Sequence, residues 1–326
     1  GGRGVKRKTV LRLGGTLLAL GLLALLLRRQ DWQAFWQALK QVSWLSLGLV
    51  LGLMLTSRLA VSGRWHVLLR SGGVNISWVQ TARITFAGLF LSNFLPTTIG
   101  GDVARLAGAL RLGYDRAVSL ASLVVDRLVG MAGMGMAALS LLGYLPLIEP
   151  KVEEWLEIGG LSSGIMAGGW VGKTGTRLRH GSGRFWQALT LWLRHPRGLL
   201  EALAFTWIHM LCTFGILWVL LRDLGEPLPF WLVAGLWAVT YFITLVPISV
   251  NGLGVQELSI TFLFTSVGGG SPAAGLTLAL FMRLLPMIAS LPGALFLPGI
   301  LAGEAIHEAE EAMKGDASAP PPAREG

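Results

Sequence analysis

The chain has 326 residues, of which 53% are hydrophobic and 14% charged, and its formal net charge is +9 at pH 7. Soluble domains carry about 25% charged residues, so this composition excludes an ordinary soluble protein and predicts a chain that lies mostly in a bilayer. The single cysteine, Cys212, excludes internal disulfides and a thiolate metal cluster. The basic residues fall in loops, where they mark the cytoplasmic side of a membrane protein, and we expect no nucleic-acid partner.

The first part of the chain predicts two spans. Basic residues precede and enter the apolar run "KRKTVLRLGGTLLALGLLALLL", which we interpret as an uncleaved first span with the N-terminus in the cytoplasm. Residues 31–44 carry Trp and Phe at helical spacing and predict an interfacial helix on the outer side. A second span at 44–62 then leads to a cytoplasmic loop at 63–78 that holds Arg64.

The next apolar stretch is interrupted at "LSNFLPTTIGGDVARL", residues 91–106. Residues 79–95 supply about 25 Å of helix and residues 102–112 about 16 Å, which is short for a hydrocarbon core of about 30 Å. Pro96 cannot donate to a helix ladder, and the glycine pair that follows permits a tight turn. Because basic loops flank both ends, we predict a re-entrant hairpin whose broken tip is buried in protein or lines a wet cavity.

The central region predicts one long span and a basic inner loop. Residues 117–145 are long enough to cross with tilt and lead into an acidic outer loop at 146–157. The glycine-rich segment 158–172 is short for a crossing, and residues 173–197 hold six Lys or Arg and no acid, which places them in the cytoplasm. Three further apolar stretches follow, at residues 199–221, 229–267 and 273–302.

The stretch at 229–267 repeats the interrupted arrangement. An apolar arm reaches Pro247, the chain breaks at Asn251, Gly252 and Gly254, and Glu257 follows. If the preceding span runs from inside to outside, this second hairpin enters the membrane from the outer face, opposite to the first. Two such interrupted hairpins indicate an inverted repeat with a site near the midplane. Alternatively, glycine and proline only permit close helix packing, which explains the glycines and leaves the acids unexplained.

The predicted fold is therefore an all-α polytopic membrane protein. It has seven to eight spans, including two oppositely oriented, broken re-entrant helix hairpins. We expect one integral membrane domain over residues 1–304 and a disordered cytoplasmic tail at 305–326, so both termini lie in the cytoplasm.

Ionisable residues lie within the apolar runs at Asp102, Asp126, Arg127, Glu257 and Arg283. A charge at the centre of a span costs roughly 2.5 to 3.5 kcal/mol on insertion scales, so these side chains need partners or a function. They either form ion pairs that hold the bundle together, such as Asp102 with an arginine and Glu257 with Arg283, or line a transport path. Arg58 and Arg83 lie nearer the predicted interface, where snorkelling explains them.

Two segments resemble the lysylphosphatidylglycerol synthase transmembrane family of flippase-like membrane proteins. "NFLPTTIGGDVARLAGALRLGYDRAVSLASLVVDRLVG" is similar to the first family motif, and "PISVNGLGVQE" is similar to the second. The chain departs from the pattern at Asp126, where glutamate is more usual, and at Thr97-Thr98, where a glycine often follows the proline. The resemblance implies that the family's marked positions are Asn93, Pro96, Gly100, Gly101, Asp102, Arg105, Asp126, Arg127, Gly252, Gly254 and Glu257.

By this resemblance the protein is expected to move a polar-headed, phosphate-bearing lipid between leaflets of the cytoplasmic membrane. The lipid would be a phospholipid or a polyprenyl-linked lipid, and a homo-oligomer is possible. Arginines would receive the phosphate, while Pro247, Asn251 and Arg283 complete the second break and its charge set. About two dozen residues follow the last span, so we expect no soluble synthase domain and no enzymatic activity.

Two alternatives from other classes stay open. A membrane-embedded lipid-modifying transferase would need a catalytic base and a metal-binding acid cluster, but the five histidines show no paired spacing. A small-solute transporter or channel could use the same broken helices. "GGWVGKTG" lacks the upstream glycine of an ATP-binding loop, so we expect passive or ion-coupled transport without a cofactor.

Overall fold

The computed structural model describes residues 40–94, 100–144, 146, 190, 192, 196–246 and 254–301. The predicted first span, residues 31–39 of the 31–44 helix, all of the outer loop but residue 146, the 158–172 segment, most of the basic inner loop and the 305–326 tail lie outside these residues. Within the described ranges the chain is helical, with short turns between the helices.

Eight helices of eight residues or more lie in the described ranges. Their bounds are α1 Trp44–Ser71, α2 Trp78–Phe94, α3 Gly100–Arg111, α4 Arg116–Ala138, α5 Pro196–Asp223, α6 Phe230–Leu245, α7 Val255–Phe262 and α8 Pro272–Ser290. Both α4 and α8 continue as 3₁₀ turns, over Leu139–Tyr144 and Leu291–Phe296, and α7 continues as a π-helix over Leu263–Val267. A last helical turn covers Pro298–Leu301.

Four of these helices are long and apolar enough to cross a membrane: α1, α5, and α4 and α8 with their 3₁₀ extensions. Helix α6, and α7 with its π-helix, are apolar but shorter. One predicted boundary is wrong, because α1 continues past residue 62 to Ser71 and carries Arg64 inside the helix. The helix ends there because Gly73, at φ +86°, turns the chain into the left-handed region.

The same sequence of elements occurs twice, as a long helix, two shorter helices and a long helix with a 3₁₀ end. We call residues 44–144 half 1 and residues 196–296 half 2. Glycines with positive φ follow the first helix of each half (Gly73 and Gly225) and the third (Gly113 and Gly269). The backbone turns also match, since Val74 N–H donates to the Leu69 carbonyl and Glu226 N–H donates to the Leu221 carbonyl. The halves are therefore a structural repeat.

Helices α1 and α5, which begin the two halves, pack side by side in opposite directions. At one end the Ser43 N–H donates to Asp223 Oδ2 at 2.9 Å. At the other end Gly198 packs against Ser71, so closely that a Cβ on this glycine would lie 2.6 Å from the serine Cβ. Each helix therefore starts where the other ends.

The contacts along this pair are reciprocal. Phe205 of α5 packs on Gly63 of α1, and Leu53 of α1 packs on Gly215 of α5. Gly63 and Gly215 are both the twentieth residue of their helices, and Leu53 and Phe205 are both the tenth. A two-fold rotation that exchanges α1 with α5 therefore maps each contact onto the other.

Ser57 and His209 lie where this pseudo-two-fold axis crosses the pair. Each is the fourteenth residue of its 28-residue helix, and Ser57 Oγ lies 2.6 Å from His209 Nδ1. His209 therefore lies at the middle of a candidate span.

The two shorter helices of each half form a hairpin that returns to the end at which it starts. In half 1 the Tyr114 hydroxyl after α3 donates to the Asn75 carbonyl before α2 at 3.1 Å. In half 2 the Ser271 N–H after α7 donates to Glu226 Oε1 before α6 at 3.0 Å. Because α1 and α5 are antiparallel, the two hairpins enter from opposite ends of the molecule.

The π-helix after α7 accounts for one extra residue in half 2. Asp102 and Glu257 are each the third residue of their helices. Eleven positions separate Asp102 from Gly113, whereas twelve separate Glu257 from Gly269. A π-helical turn accommodates a single inserted residue without ending the helix, so the element that follows keeps its place.

Candidate functional site

A buried carboxylate in half 1 is held by two arginines from neighbouring helices. Asp126 of α4 has a side chain only 3% exposed. Arg64 of α1 donates to it from both Nε (2.7 Å) and Nη2 (3.2 Å), and Arg105 of α3 donates from Nη1 at 3.0 Å. Arg64 Nη1 also lies 3.5 Å from Thr206 Oγ1 of α5, so four helices meet at this group.

A second carboxylate extends the network toward the surface. Asp102 of α3 accepts hydrogen bonds from Nε (2.7 Å) and Nη2 of Arg127 in α4, and its Oδ1 lies 3.6 Å from Arg105 Nη1. The Arg127 side chain is 56% exposed. The charges thus run from an exposed arginine to a buried aspartate, and three arginines with two aspartates give the network a net charge of +1.

Arg105, at the centre of this network, is incompletely paired. The residue is 8% exposed, and its guanidinium lies over the Trp65 ring, 4.3 Å from the centroid. Its Nε and Nη2 are buried and have no hydrogen-bond partner among the residues that the structure describes. An unsatisfied buried donor costs about 1–3 kcal/mol, so the fold keeps two polar groups of Arg105 at an energetic penalty.

Half 2 holds a simpler pair. Arg283 Nε of α8 lies 3.1 Å from Glu257 Oε1 of α7, which confirms the pair expected from the sequence. The other oxygen of Glu257 accepts the Gly254 N–H at 2.9 Å and so caps the helix. Gly254 has φ +79°, a conformation that favours glycine. The pair is neutral, although Arg283 Nη2 is also buried and finds no partner in the described part of the chain.

The two acid–arginine pairs are equivalent under the repeat. Asp102 and Glu257 are the third residues of α3 and α7. Arg127 and Arg283 are both the twelfth residue of the helix that follows. One ion pair per half therefore joins the helix after each break to the next long helix.

The remaining predicted residues have mainly packing roles where the structure describes them. Asn93 donates from Nδ2 to the Pro286 carbonyl (3.1 Å) and to Ser290 Oγ (3.0 Å), which ties α2 to α8 of the other half. Gly100 and Gly101 begin α3, and a Cβ on Gly101 would lie 2.7 Å from the Gly88 carbonyl oxygen of α2. Four predicted residues lie outside the described ranges, namely Pro96, Pro247, Asn251 and Gly252.

Sequence reasoning missed Arg64 and misplaced Arg58. The predicted span ended at residue 62, so Arg64 was assigned to a loop; the glycine pair at 72–73 was the available signal for a longer helix. Arg58 lies midway along α1 and not near its end, and its Nε is buried with no partner among the described residues. Arg83, near the start of α2, is exposed and lies over the Phe296 ring.

Ion pairs, and no metal site, characterise the described part of the chain. In those residues His, Cys, Asp and Glu side chains nowhere gather in a group of three that could hold a metal ion. The arrangement instead presents guanidinium groups, which donate to paired oxygens of carboxylates and phosphates.

Comparison with known proteins agrees with the motifs and the apolar helices. The family model described as the lysylphosphatidylglycerol synthase TM region matches residues 12–293. A search of curated proteins gave no significant match. The match covers most of the chain, including both interrupted stretches and every charged residue of the network. This membrane protein therefore belongs to the lysylphosphatidylglycerol synthase transmembrane region family.

Proposed function

We propose that this protein is a transporter that moves a phosphate-bearing lipid between the two leaflets of the cytoplasmic membrane. The observation that carries the proposal is the net-positive charge network of half 1, which runs from exposed Arg127 to buried Asp126. A lipid flippase needs such a polar path for the headgroup while the acyl chains stay in hydrocarbon.

In this proposal both hairpins are re-entrant and enter from opposite faces of the bilayer. Each hairpin starts and returns at one end of the α1–α5 pair, and α2 and α6 supply only about 26 Å and 24 Å of helix. The breaks would then lie within the membrane, where irregular backbone is tolerated only in protein or beside water. The N-terminal ends of α3 and α7 would add partial positive charge there.

The acids and arginines have complementary roles in the proposed transport. Asp102 and Glu257 keep Arg127 and Arg283 oriented when no lipid is bound. A lipid phosphate competes for the same guanidinium groups, because their paired N–H donors suit a phosphate as well as a carboxylate. No step forms or breaks a covalent bond, so the proposed activity is transport without catalysis.

The test is lipid transfer by the purified protein in liposomes without nucleotide. Headgroup-labelled phosphatidylglycerol, its aminoacylated form and a polyprenyl phosphate are each followed by dithionite quenching or enzyme accessibility. We expect at least one to become accessible faster than in protein-free vesicles. Arg127→Lys keeps the charge but loses bidentate hydrogen bonding to the phosphate, so it should slow transfer, whereas Arg83→Lys should not.

The same vesicles distinguish the rival function. If no lipid moves faster than in protein-free vesicles while a small hydrophilic solute does, the protein is a solute transporter or channel. The proposal for lipid transport is then withdrawn.

A further inference from the structure

Three charged residues of half 1 have apolar counterparts in half 2. Arg64 and Ile216 are both the twenty-first residue of α1 and α5. Arg105 and Ile260 are both the sixth residue of α3 and α7, and Asp126 and Met282 are both the eleventh residue of α4 and α8. The pseudo-two-fold axis therefore maps a charged triad onto an apolar triad.

The apolar triad is a well-packed part of the half 2 core. Ile216 and Ile260 are fully buried, Met282 is 3% exposed, and all three belong to one apolar cluster. Trp65 and Ser122, which flank the charged triad, have Leu217 and Leu278 as counterparts in the same cluster. The fold therefore packs well with apolar residues at these positions. Buried ion pairs are often no more stable than apolar residues of similar volume.

The asymmetry separates two kinds of charge. The acid–arginine pairs Asp102–Arg127 and Glu257–Arg283 recur in both halves, as expected for elements of the shared fold. The triad of Arg64, Arg105 and Asp126 occurs in half 1 alone, and within the described ranges it leaves Nε and Nη2 of Arg105 without a partner. A function specific to half 1 explains why these charges are kept.

We propose that half 1 carries a buried anion site that half 2 lacks, in which the Nε–Nη2 edge of Arg105 binds two oxygens of a lipid phosphate. This inference rests on the proposed function for the choice of a lipid. Arg64 uses the same pair of nitrogens, Nε and Nη2, to hold the Asp126 carboxylate, so a two-oxygen anion fits this edge. Asp126 accepts a hydrogen bond from Arg105 Nη1, and Trp65 covers one face of the guanidinium, so these two residues fix its orientation.

The charge and exposure of the network define the ligand and its approach. A net charge of +1 matches the single negative charge of a phosphodiester headgroup. The edge is buried in this structure, and Arg127 is the most exposed of the five charged side chains of the network. The headgroup therefore approaches past Arg127 and Asp102, and helices around Arg105 separate to admit it.

The decisive variant gives half 1 the apolar triad of half 2: Arg64→Ile, Arg105→Ile and Asp126→Met together. Binding of dihexanoyl-phosphatidylglycerol to the detergent-purified protein is measured by titration calorimetry, with dihexanoylglycerol as the ligand that lacks phosphate. We expect the Tm to be unchanged or higher and the affinity for the phospholipid to fall at least tenfold. A matched triple variant in half 2, Ile216→Leu, Ile260→Leu and Met282→Leu together, should bind as the parent does.

If the triple variant does not accumulate in the membrane, a single substitution provides the test. Arg105→Gln leaves Asp126 paired with Arg64, so the protein should fold and still lose at least tenfold in affinity. Binding within twofold of the parent, in either folded variant, overturns the site. Tight binding of inorganic phosphate without binding of the phospholipid overturns the assignment to a lipid.

The binding and liposome assays together distinguish failure of the anion site from failure of the proposed transport. If the parent binds the phospholipid through Arg105 but transfers no lipid in vesicles, the proposed transport fails and the anion site stands. If lipid is transferred at the parental rate by the triple variant, transport stands and the anion site is overturned.

Discussion

At the scale of single residues, Asp126 should be the most sensitive position for stability. Among the described residues, Asp126 is the acid that pairs with both Arg64 and Arg105. Arg105 has a second acid, Asp102, whose Oδ1 lies 3.6 Å from its Nη1. Asp126→Ala leaves buried positive charge uncompensated, which costs about 3–5 kcal/mol. We expect a large drop in the Tm of the detergent-solubilised protein, measured by fluorescence-detected size exclusion after heating.

Asp115 at the start of the same helix supplies the control. Its carboxylate accepts the Ala117 and Val118 N–H groups as the N-cap of α4, and loss of a cap costs about 1 kcal/mol. If Asp115→Ala lowers the Tm as much as Asp126→Ala does, burial of the ion network is not the cause.

At the scale of elements, the approach of α2 to α3 depends on Gly88. A Cβ at this position would lie 2.7 Å from the Gly101 carbonyl oxygen and 2.9 Å from Arg105 Cγ. Gly88→Ala should therefore push α3 away and destabilise the protein by about 1–3 kcal/mol, as measured by the same heating assay. Gly52→Ala in α1, where nothing lies within 4 Å of the added Cβ, should be neutral or stabilising; a loss there equal to that at Gly88 contradicts the packing account.

A second prediction at this scale concerns the extra residue that the π-helix of half 2 accommodates. Deletion of Ser266 removes the extra residue of half 2 and leaves an interval equal to that of half 1, so the protein should still accumulate in the membrane. Deletion of Ala109, in the regular helix α3, rotates the residues that follow by about 100° and should prevent accumulation. Equal loss of protein from the two deletions, on immunoblots of membranes, rules out the insertion account.

At the scale of the whole molecule, the antiparallel pairing of α1 with α5 can be tested by cross-linking. In a Cys212→Ser background, cysteines at positions 43 and 223 should be joined by a short bismaleimide, because the Ser43 N–H bonds to Asp223. Cysteines at positions 43 and 197 should not react together, since 26 residues of helix separate position 197 from 223, about 39 Å. Cross-linking of the second pair alone would show parallel helices.

Membrane sidedness is the second prediction at this scale. The turns after α1 and α5 lie at opposite ends of the pair, so single cysteines at 73 and 225 should be labelled from opposite faces of the membrane. Because basic loops favour the cytoplasm, we expect an impermeant maleimide to reach position 225 in intact cells and position 73 only after permeabilisation. Labelling of both from the same face would contradict the inverted arrangement.

The sequence by itself determined the membrane character, the approximate extents of the described long helices from α4 onward, and both interruptions. Local patterns suffice for these features, because apolar runs, prolines and glycines act through the backbone of their own segment. The Glu257–Arg283 pair was also predictable, since each charge lies in an apolar stretch of the same half and needs a nearby partner. The end of α1 was missed because Arg64 resembles a loop residue until its partner is known.

Only the tertiary structure decided which distant residues meet. Arg64 and Asp126 lie 62 positions apart in the sequence, and Ser57 meets His209 only because α1 and α5 cross at their midpoints. The match of Arg64, Arg105 and Asp126 to Ile216, Ile260 and Met282 likewise requires aligned helices. Such contacts follow from the packing of helices against each other, and packing depends on the shapes of whole faces, which no single stretch of sequence carries.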